Sequence, residues 1–489
     1  MNLIAQAQYE VAKYNTRRHF LKKCMSGLGS VALGSLMSCQ KTLENIGQTF
    51  PDNPLHPLPT HFAPRAKRVI FLHMAGAPSQ LELFDYKPEL QKLDGKQCPP
   101  SLLEGKRYPF LTGLPKMMGP QTRFQQYGES GALVSEFLPH FSTMVDDVTI
   151  LKAMYTEEFN HAPAKLLMHT GSPRLGRPSM GAWAVYGLGS ENQDLPGFVV
   201  LLSGAENISA GKSAWGSGFL PTVYQGVQCR SKGEPVLYIS NPDHVDEKMR
   251  KLSIDAINAI NEKEYHEAGD PEILSRISQY ELAFRMQTAV PEVMNINDEP
   301  EWVHKMYGTE PGKRSYANNC LLARRMVEKG VRFVQLFHRG WDHHGTGKGN
   351  GVHDGLKNMC ESVDQATTAL IRDLKQRGLL EETLVIWGGE FGRTPMMEAR
   401  SGANYKGRDH HGDAFTMWMA GGGIKAGFTY GETDEIGFFG VKDRVHVHDL
   451  QATILHQLGM DHEKLIYTFQ GREFRLTDVH GKVVKDILA

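Results

Sequence analysis

Five short apolar runs, nearly unbroken by polar residues, constrain this chain more than any other feature: Arg68-Val69-Ile70-Phe71-Leu72, Val148-Thr149-Ile150-Leu151, Val199-Val200-Leu201-Leu202, Val331-Arg332-Phe333-Val334-Gln335-Leu336-Phe337 and Thr383-Leu384-Val385-Ile386-Trp387. A strand with one wet face alternates apolar and polar residues. Runs without that alternation suit strands covered on both faces of a mainly parallel sheet. Between the last two runs, Leu356, Met359, Val363, Ala366, Leu370 and Leu374 recur every three or four residues, and Gly378 follows. This spacing predicts a helix, so that strand, helix and strand make a right-handed crossover unit. The fold class expected is α/β with a mostly parallel central sheet. Residues 243–293 are charged and helical in period, broken near Gly269-Asp270-Pro271, and are expected to form a helical insertion or cap within about 205–300.

The N-terminal segment has the layout of a secretory address. Thr16-Arg17-Arg18-His19-Phe20-Leu21-Lys22 precedes an apolar run from Met25 to Met37, 13 residues long, against the ~20 needed to cross a bilayer. Paired arginines ahead of such a run indicate a twin-arginine signal over 1–39 and partnership with the twin-arginine export machinery. Leu36-Met37-Ser38-Cys39 reads as a lipobox with Cys39 the lipidated residue, or as an ordinary cleavage site with an incidental cysteine. The expected location is the periplasm or the envelope surface, with membrane contact only through a lipid at Cys39. Residues 40–66, punctuated by Pro51, Pro54, Pro57, Pro59 and Pro64, are expected to be a tether, and 67–489 the folded body.

Lys and Arg total 54 against 55 Asp and Glu, so the chain has no general basic field and nucleic acid is excluded as a partner. Cys98, Cys229, Cys320 and Cys360 are far apart in sequence and form no thiolate metal motif. Two disulfides or four buried thiols are both open.

Open α/β sheets place ligands beyond the carboxyl ends of their strands, and polar clusters stand there. Gly340-Trp341-Asp342-His343-His344-Gly345 follows the fourth run and Gly388-Gly389-Glu390-Phe391-Gly392-Arg393-Thr394 the fifth. Gly407-Arg408-Asp409-His410-His411-Gly412 precedes another apolar run, Phe415 to Ala420. Imidazole with carboxylate suits zinc, manganese or iron, and glycine lets the backbone turn so that ligands converge. The metal candidates are Asp342 with His343 or His344, and His410 or His411 with Asp409 beside them. His73, ending the first run, is a further ligand or a packed core histidine. Ser79 and Asp85 read as site residues or as turn and cap residues.

These segments, with His73 to Gln80, Gly176 to Trp183, Trp387 to Pro395 and Arg475 to Gly481, resemble an exported branch of the alkaline phosphatase superfamily, the family called domain of unknown function 1501. The superfamily includes sulfatases and phosphoglycerate mutases. The resemblance implies a three-layer sandwich and a site of one or two divalent ions, zinc or manganese, that cleaves phosphate or sulfate esters, with polysaccharide or lipid headgroups as the candidate substrates. It makes Asp342 and a following histidine similar to the ligands of one metal, Glu390 to the strand-end ligand of the other, and His410 or His411 to a late ligand. Two departures stand out. His161-Ala162-Pro163-Ala164-Lys165 with Thr170-Gly171 keeps the sulfatase nucleophile frame but puts His161 at the cysteine's place and Lys165 at the arginine's, which excludes formylglycine chemistry. Phe391 occupies the place of a usual ligand, which weakens the second metal site. Attack by metal-activated water is the expectation, with His161 as ligand or acid; Ser179 is an alternative nucleophile or a helix cap. Lys165, Arg177 and Arg393 are candidates to hold the anionic ester. The alternative function is a sulfatase-like binding or accessory protein of the envelope without turnover.

Overall fold

The computed structural model describes residues 53–489, apart from 106–107, 112, 205–207 and 399–404. The twin-arginine motif, Cys39 and the first part of the tether lie outside the described residues.

Nine strands form the main sheet: β1 (Arg68–Ala75), β2 (Val148–Tyr155), β3 (Phe198–Ser203), β4 (Val227–Cys229), β5 (Phe333–Arg339), β6 (Thr383–Gly388), β7 (Phe415–Ala420), β8 (Phe428–Tyr430) and β9 (Val445–His446). Their order is β8-β2-β7-β6-β1-β5-β3-β4, with β9 also paired to β2. β7 runs against its neighbours β2 and β6, and the other pairings are parallel. All five apolar runs are strands. The fourth begins at Phe333 because Val331 is used earlier, its amide closing on the Met326 carbonyl at the end of the preceding helix. Successive side chains point to opposite faces, so the burial of Val69 through Ala75 requires cover on both sides of β1.

The helices that matter for the site are α1 (His161–Thr170), α2 (Met180–Leu188), α3 (Glu247–Ala268), α4 (Pro271–Met294), α5 (Tyr316–Glu328), α6 (Gly355–Gln376) and α7 (Val447–Gln457). α6 joins β5 to β6, which flank β1, and buries Leu356, Val363, Ala366, Leu370 and Leu374. The expected insertion is narrower than 205–300. β4 belongs to the sheet, and the extra element is the α3–α4 hairpin, in which Asp246 and Asp270 cap the two helices and Gly269 ends the first.

The tether also ends earlier than 66. From residue 53 onward the chain lies along the body: Leu55 is buried, the Leu58 amide donates to the Leu188 carbonyl (2.9 Å), and the Arg65 and Ala66 amides donate to the Gln457 carbonyl (2.9 and 2.8 Å). Prolines remove donors from this stretch, and the amides that remain find carbonyls of the body. Cys98, Cys229, Cys320 and Cys360 are buried free thiols. Among the described residues, no helix is long and apolar enough to cross a membrane.

Candidate metal centre

The carboxyl ends of β1, β5 and β6 meet in the middle of the sheet, and the loops that leave them touch through backbone. Gly76 has φ +118°, and a Cβ there would fall 2.6 Å from the Asp342 amide nitrogen. Gly407 is equally confined, with a would-be Cβ 2.0 Å from the His344 carbonyl carbon. These two approaches bring the segments after β1, after β5 and before β7 onto one point. α1 adds His161 and Lys165, and a two-residue pairing of Gly392–Arg393 with His410–His411 fixes the last segment.

His161, Asp342, His344 and His410 converge there, with one ligand atom of each within 4.8 Å of the others. Asp342 Oδ1 lies 3.3 Å from His161 Nε2, 2.8 Å from His344 Nε2 and 3.2 Å from His410 Nε2. The far nitrogen of each ring faces an acceptor. His161 Nδ1 is 2.7 Å from Glu390 Oε1, His344 Nδ1 is 2.5 Å from Glu398 Oε2, and His410 Nδ1 is 2.8 Å from the Phe159 carbonyl. Each Nδ1 is therefore the protonated, donating nitrogen, and a neutral ring presents its Nε2 lone pair inward. Two such lone pairs, on His344 and His410, face each other at 3.1 Å. His161 Nε2 is buried and makes no hydrogen bond. Three lone pairs converging on a carboxylate oxygen repel unless a cation stands among them, and the outer acceptors are the partners that orient metal-binding histidines.

The charges agree with that geometry. Burial works against the Asp342 carboxylate, and the charge of Arg393 is the largest of the contacts that outweigh it and hold the carboxyl far below its ordinary range. Burial lowers His410 to about 3, so its ring is neutral. Burial also opposes protonation of His161, yet Asp342 and Glu390 together raise it above the ordinary 6.5 when no cation is bound.

Glu390 forms a second, fully buried node beside this one. Its carboxylate accepts from the Gly76 amide (3.1 Å) and from His161 Nδ1–H (2.7 Å), and lies 3.0 Å from Lys165 Nζ and 3.2 Å from His73 Nε2. Burial disfavours its charge, but Lys165 and the two histidines keep it ionised. Lys165 also donates to Ser209 Oγ (2.8 Å). A cleft of about 350 Å³ opens here, lined by Gly76, His161, Lys165, Ser209, Asp342 and Asn350 among others.

The remaining candidates lie outside the converging set of His161, Asp342, His344 and His410. His411 turns its Nε2 to the Phe438 carbonyl (2.5 Å) and stacks on that ring. His343 is buried near Gly355, outside the cluster, and burial lowers it to about 4. Asp409 lies outside the four-residue set but forms with His344 and Glu398 a second buried group whose ligand atoms lie within 4.8 Å of one another; it also accepts the amides of Phe110, Leu111 and His410 (2.9, 3.0 and 2.7 Å). His73 touches Glu390 but packs among Phe71, His169 and Phe337. Arg393 donates to the carbonyls of Gly76, Ala77 and Arg408 and to Asp342, which makes it a clamp on the loops. Arg177 pairs with Asp478 and lies over Phe474, and the Ser179 hydroxyl donates to the Gly216 carbonyl (3.0 Å). Ser79 pairs with Glu82, and Asp85 with Thr433.

Three residues at the site gave no sequence signal: Glu398 behind His344, Ser209 on Lys165, and Phe110. Phe110 sets its edge against His344 and His410 (4.8 and 5.5 Å), and Phe391 stacks on His161 (5.0 Å). Phe391, at a ligand's place in the resemblance, is an apolar wall.

Solved structures to which the chain is similar include the sulfatase PsFucS1 from Pseudoalteromonas sp. (TM-score 0.33, 11% identity, covering 82% of this chain and 69% of that one). The alkaline phosphatase of the Antarctic bacterium TAB5 has a TM-score of 0.31 at 11% identity, covering 80% and 97%. The lipoteichoic acid synthase LtaP from Listeria monocytogenes has a TM-score of 0.34 at 9% identity, covering 86% and 78%. No protein of curated function matches the sequence. The family model described as "Protein of unknown function (DUF1501)" matches residues 66–488, and the chain belongs to that family.

Proposed function

We propose that this chain is an exported, metal-dependent hydrolase of phosphate or sulfate esters that uses activated water as its nucleophile. The observation that carries the reading is the convergence of His161, Asp342, His344 and His410 with each far ring nitrogen committed to an acceptor. A set of three imidazole nitrogens and one carboxylate oxygen fits zinc or manganese. When bound, such an ion would supply Lewis acidity and acidify a water at neutral pH. The chain's own groups do the rest. Lys165, held between Glu390 and Ser209, sets a positive charge in the cleft where the ester's anionic oxygens arrive. Arg393 and Asn350 fix the loop that carries Asp342, Arg393 through the carboxylate and Asn350 through the backbone carbonyl (2.8 Å). Phe110 and Phe391 pack against the imidazoles and limit the water around them. Export by the twin-arginine route and a lipid at Cys39 are part of the same proposal and rest on residues 16–39.

One observation favours a second reading, a metal-holding envelope protein without turnover. His161, at the nucleophile's place, belongs to the converging set, and Ser179 is turned to a backbone carbonyl. One experiment separates the two. Metal content of the full chain is measured by mass spectrometry beside Asp342→Asn and His410→Ala, and initial rates are taken with para-nitrophenyl phosphate and sulfate. Stoichiometric metal and turnover, both lost in the two variants, support the hydrolase. Metal without turnover supports the second reading. No stoichiometric metal after reconstitution with zinc and with manganese sinks both.

A further inference from the structure

Residues 208–212 leave the end of β3 and divide two cavities. Ile208 lines both the cleft of about 350 Å³ beside the metal centre and a larger one of about 700 Å³. Ser209 holds Lys165 on the first side, and Lys212 lines the second. The second cavity sits beyond the carboxyl ends of β3 and β4, where parallel sheets take ligands. Lys212, Arg230, Lys232 and Arg314 line it, and none of its described lining residues is a carboxylate. The chain as a whole has a net charge of −1, so this is a local concentration of positive charge. The nearby Glu234 attracts Arg230 and offsets part of it, but its carboxylate accepts the amides of Tyr238 (3.2 Å) and Ser240 (3.1 Å), and Arg230 Nε donates to its backbone carbonyl.

Two further features point to a ligand. The Ser231 hydroxyl, between Arg230 and Lys232 in sequence and in the cavity lining, is buried without a hydrogen-bond partner, a state proteins rarely leave uncompensated. Tyr238, which follows the lining residue Leu237 in the chain, is 91% exposed and has φ +61°, held there by Glu234. A bulky residue in that conformation is strained, and such strain gathers at functional positions. An exposed phenol ring next to a basic cavity offers a flat apolar face for a sugar whose substituents are anionic.

We infer that this cavity is a second anion subsite, which takes a sulfate or phosphate group on one sugar of a polyanionic glycan while the scissile ester of another lies in the first cleft. As a substrate site it rests on the reading of the first cleft as the ester site. Bridging the partition at Ile208 would give the chain a preference for clustered anionic esters over isolated ones.

The test is calorimetric binding to the full chain of a heparin hexasaccharide, its desulfated counterpart and inorganic tripolyphosphate. Wild type is compared with the triple variant Lys212→Ala, Arg230→Ala, Lys232→Ala, with Tyr238→Ala and with Asp342→Asn; thermal melting reports on folding, and metal content on the first cleft. The triple variant is expected to bind the hexasaccharide about tenfold or more weakly. Tyr238→Ala is expected to weaken the hexasaccharide but not tripolyphosphate, Asp342→Asn is expected to retain binding, and the desulfated glycan is expected not to bind. Equal affinity in wild type and the triple variant, or no binding of the hexasaccharide by wild type, overturns the inference. So does binding lost in Asp342→Asn yet kept in the triple variant. Binding is read without turnover, so a chain that binds through the three cations but hydrolyses neither aryl ester would sink the hydrolase reading and leave the subsite standing.

Discussion

One oxygen of Asp342 serves three imidazoles and a guanidinium, and the neighbouring triplet shows how finely ring orientation decides such a site. His410 and His411 are adjacent, yet one ring is aimed by the Phe159 carbonyl into the cluster and the other is held by the Phe438 carbonyl outside it. His410→Ala is therefore expected to lose the metal and His411→Ala to keep it, as read by mass spectrometry of the purified variants. Glu398 acts through His344, so Glu398→Gln should weaken metal affinity about 10–100-fold while leaving stoichiometry at saturation intact; a competition titration with a chelator measures this. The acid–base behaviour of His161 gives a third expectation. Its titration lies above 6.5 without metal, and the protonated ring cannot ligate, so metal affinity should rise with pH through that titration and binding should release a proton. Calorimetry in buffers of different ionisation enthalpy measures the proton. By linkage, the same raised group stabilises the metal-free fold fully below its unfolded value, a contribution lost as pH climbs through its folded one.

At the scale of elements, the site depends on loops that touch without side chains between them. Gly76→Ala would drive a Cβ into the Asp342 backbone at a φ that favours glycine, and neither backbone can yield cheaply because Arg393 ties both loops. The expected cost is about 1–3 kcal/mol, seen as a lower urea midpoint, together with weaker metal binding as the strand-end loops part. A loss of stability without any change in metal affinity would mean that the close approach holds the fold only. α6 shows the complementary case, in which sequence period alone suffices. Its apolar residues recur at helical spacing and are the residues buried against the core, with Met359 at the edge of the stripe.

The body is one large α/β unit held by its core and by buried polar contacts, with no disulfide among the described residues. Cys98, Cys229, Cys320 and Cys360 are all buried and free. A reducing agent should leave the melting temperature unchanged, and a thiol reagent should reach these four only after denaturation. A fall in melting temperature on reduction would mean that a disulfide forms in the protein. The Arg408 guanidinium, 0% exposed, pairs with Glu82 and donates to the carbonyls of Met118, Thr394 and Gly119. In this way it ties the segment before β7 to the first helix after β1 and to the loop that follows it.

The sequence by itself determined five strands of the main sheet, the crossover helix α6, the helical character of the α3–α4 insertion and the level of the site. Unalternating apolar runs have no other stable home than a sheet covered on both faces, and polar residues at strand ends must gather where those ends meet. It also put the right residue types within reach, since Asp342, His344 and His410 are all in the two glycine-flanked triplets and His161 in the nucleophile-like frame. Only the tertiary structure decided which member of each triplet turns inward, that β7 runs against its neighbours, that residues 53–66 lie on the body, and that Arg393 clamps loops. The reason is physical. Periodicity and burial are local properties that a chain carries in its residue order, whereas the direction of an imidazole depends on which distant acceptor its far nitrogen meets. Glu398 is 54 residues from His344, and Phe159 is 251 from His410. Nothing in the spacing of either pair foretells the contact.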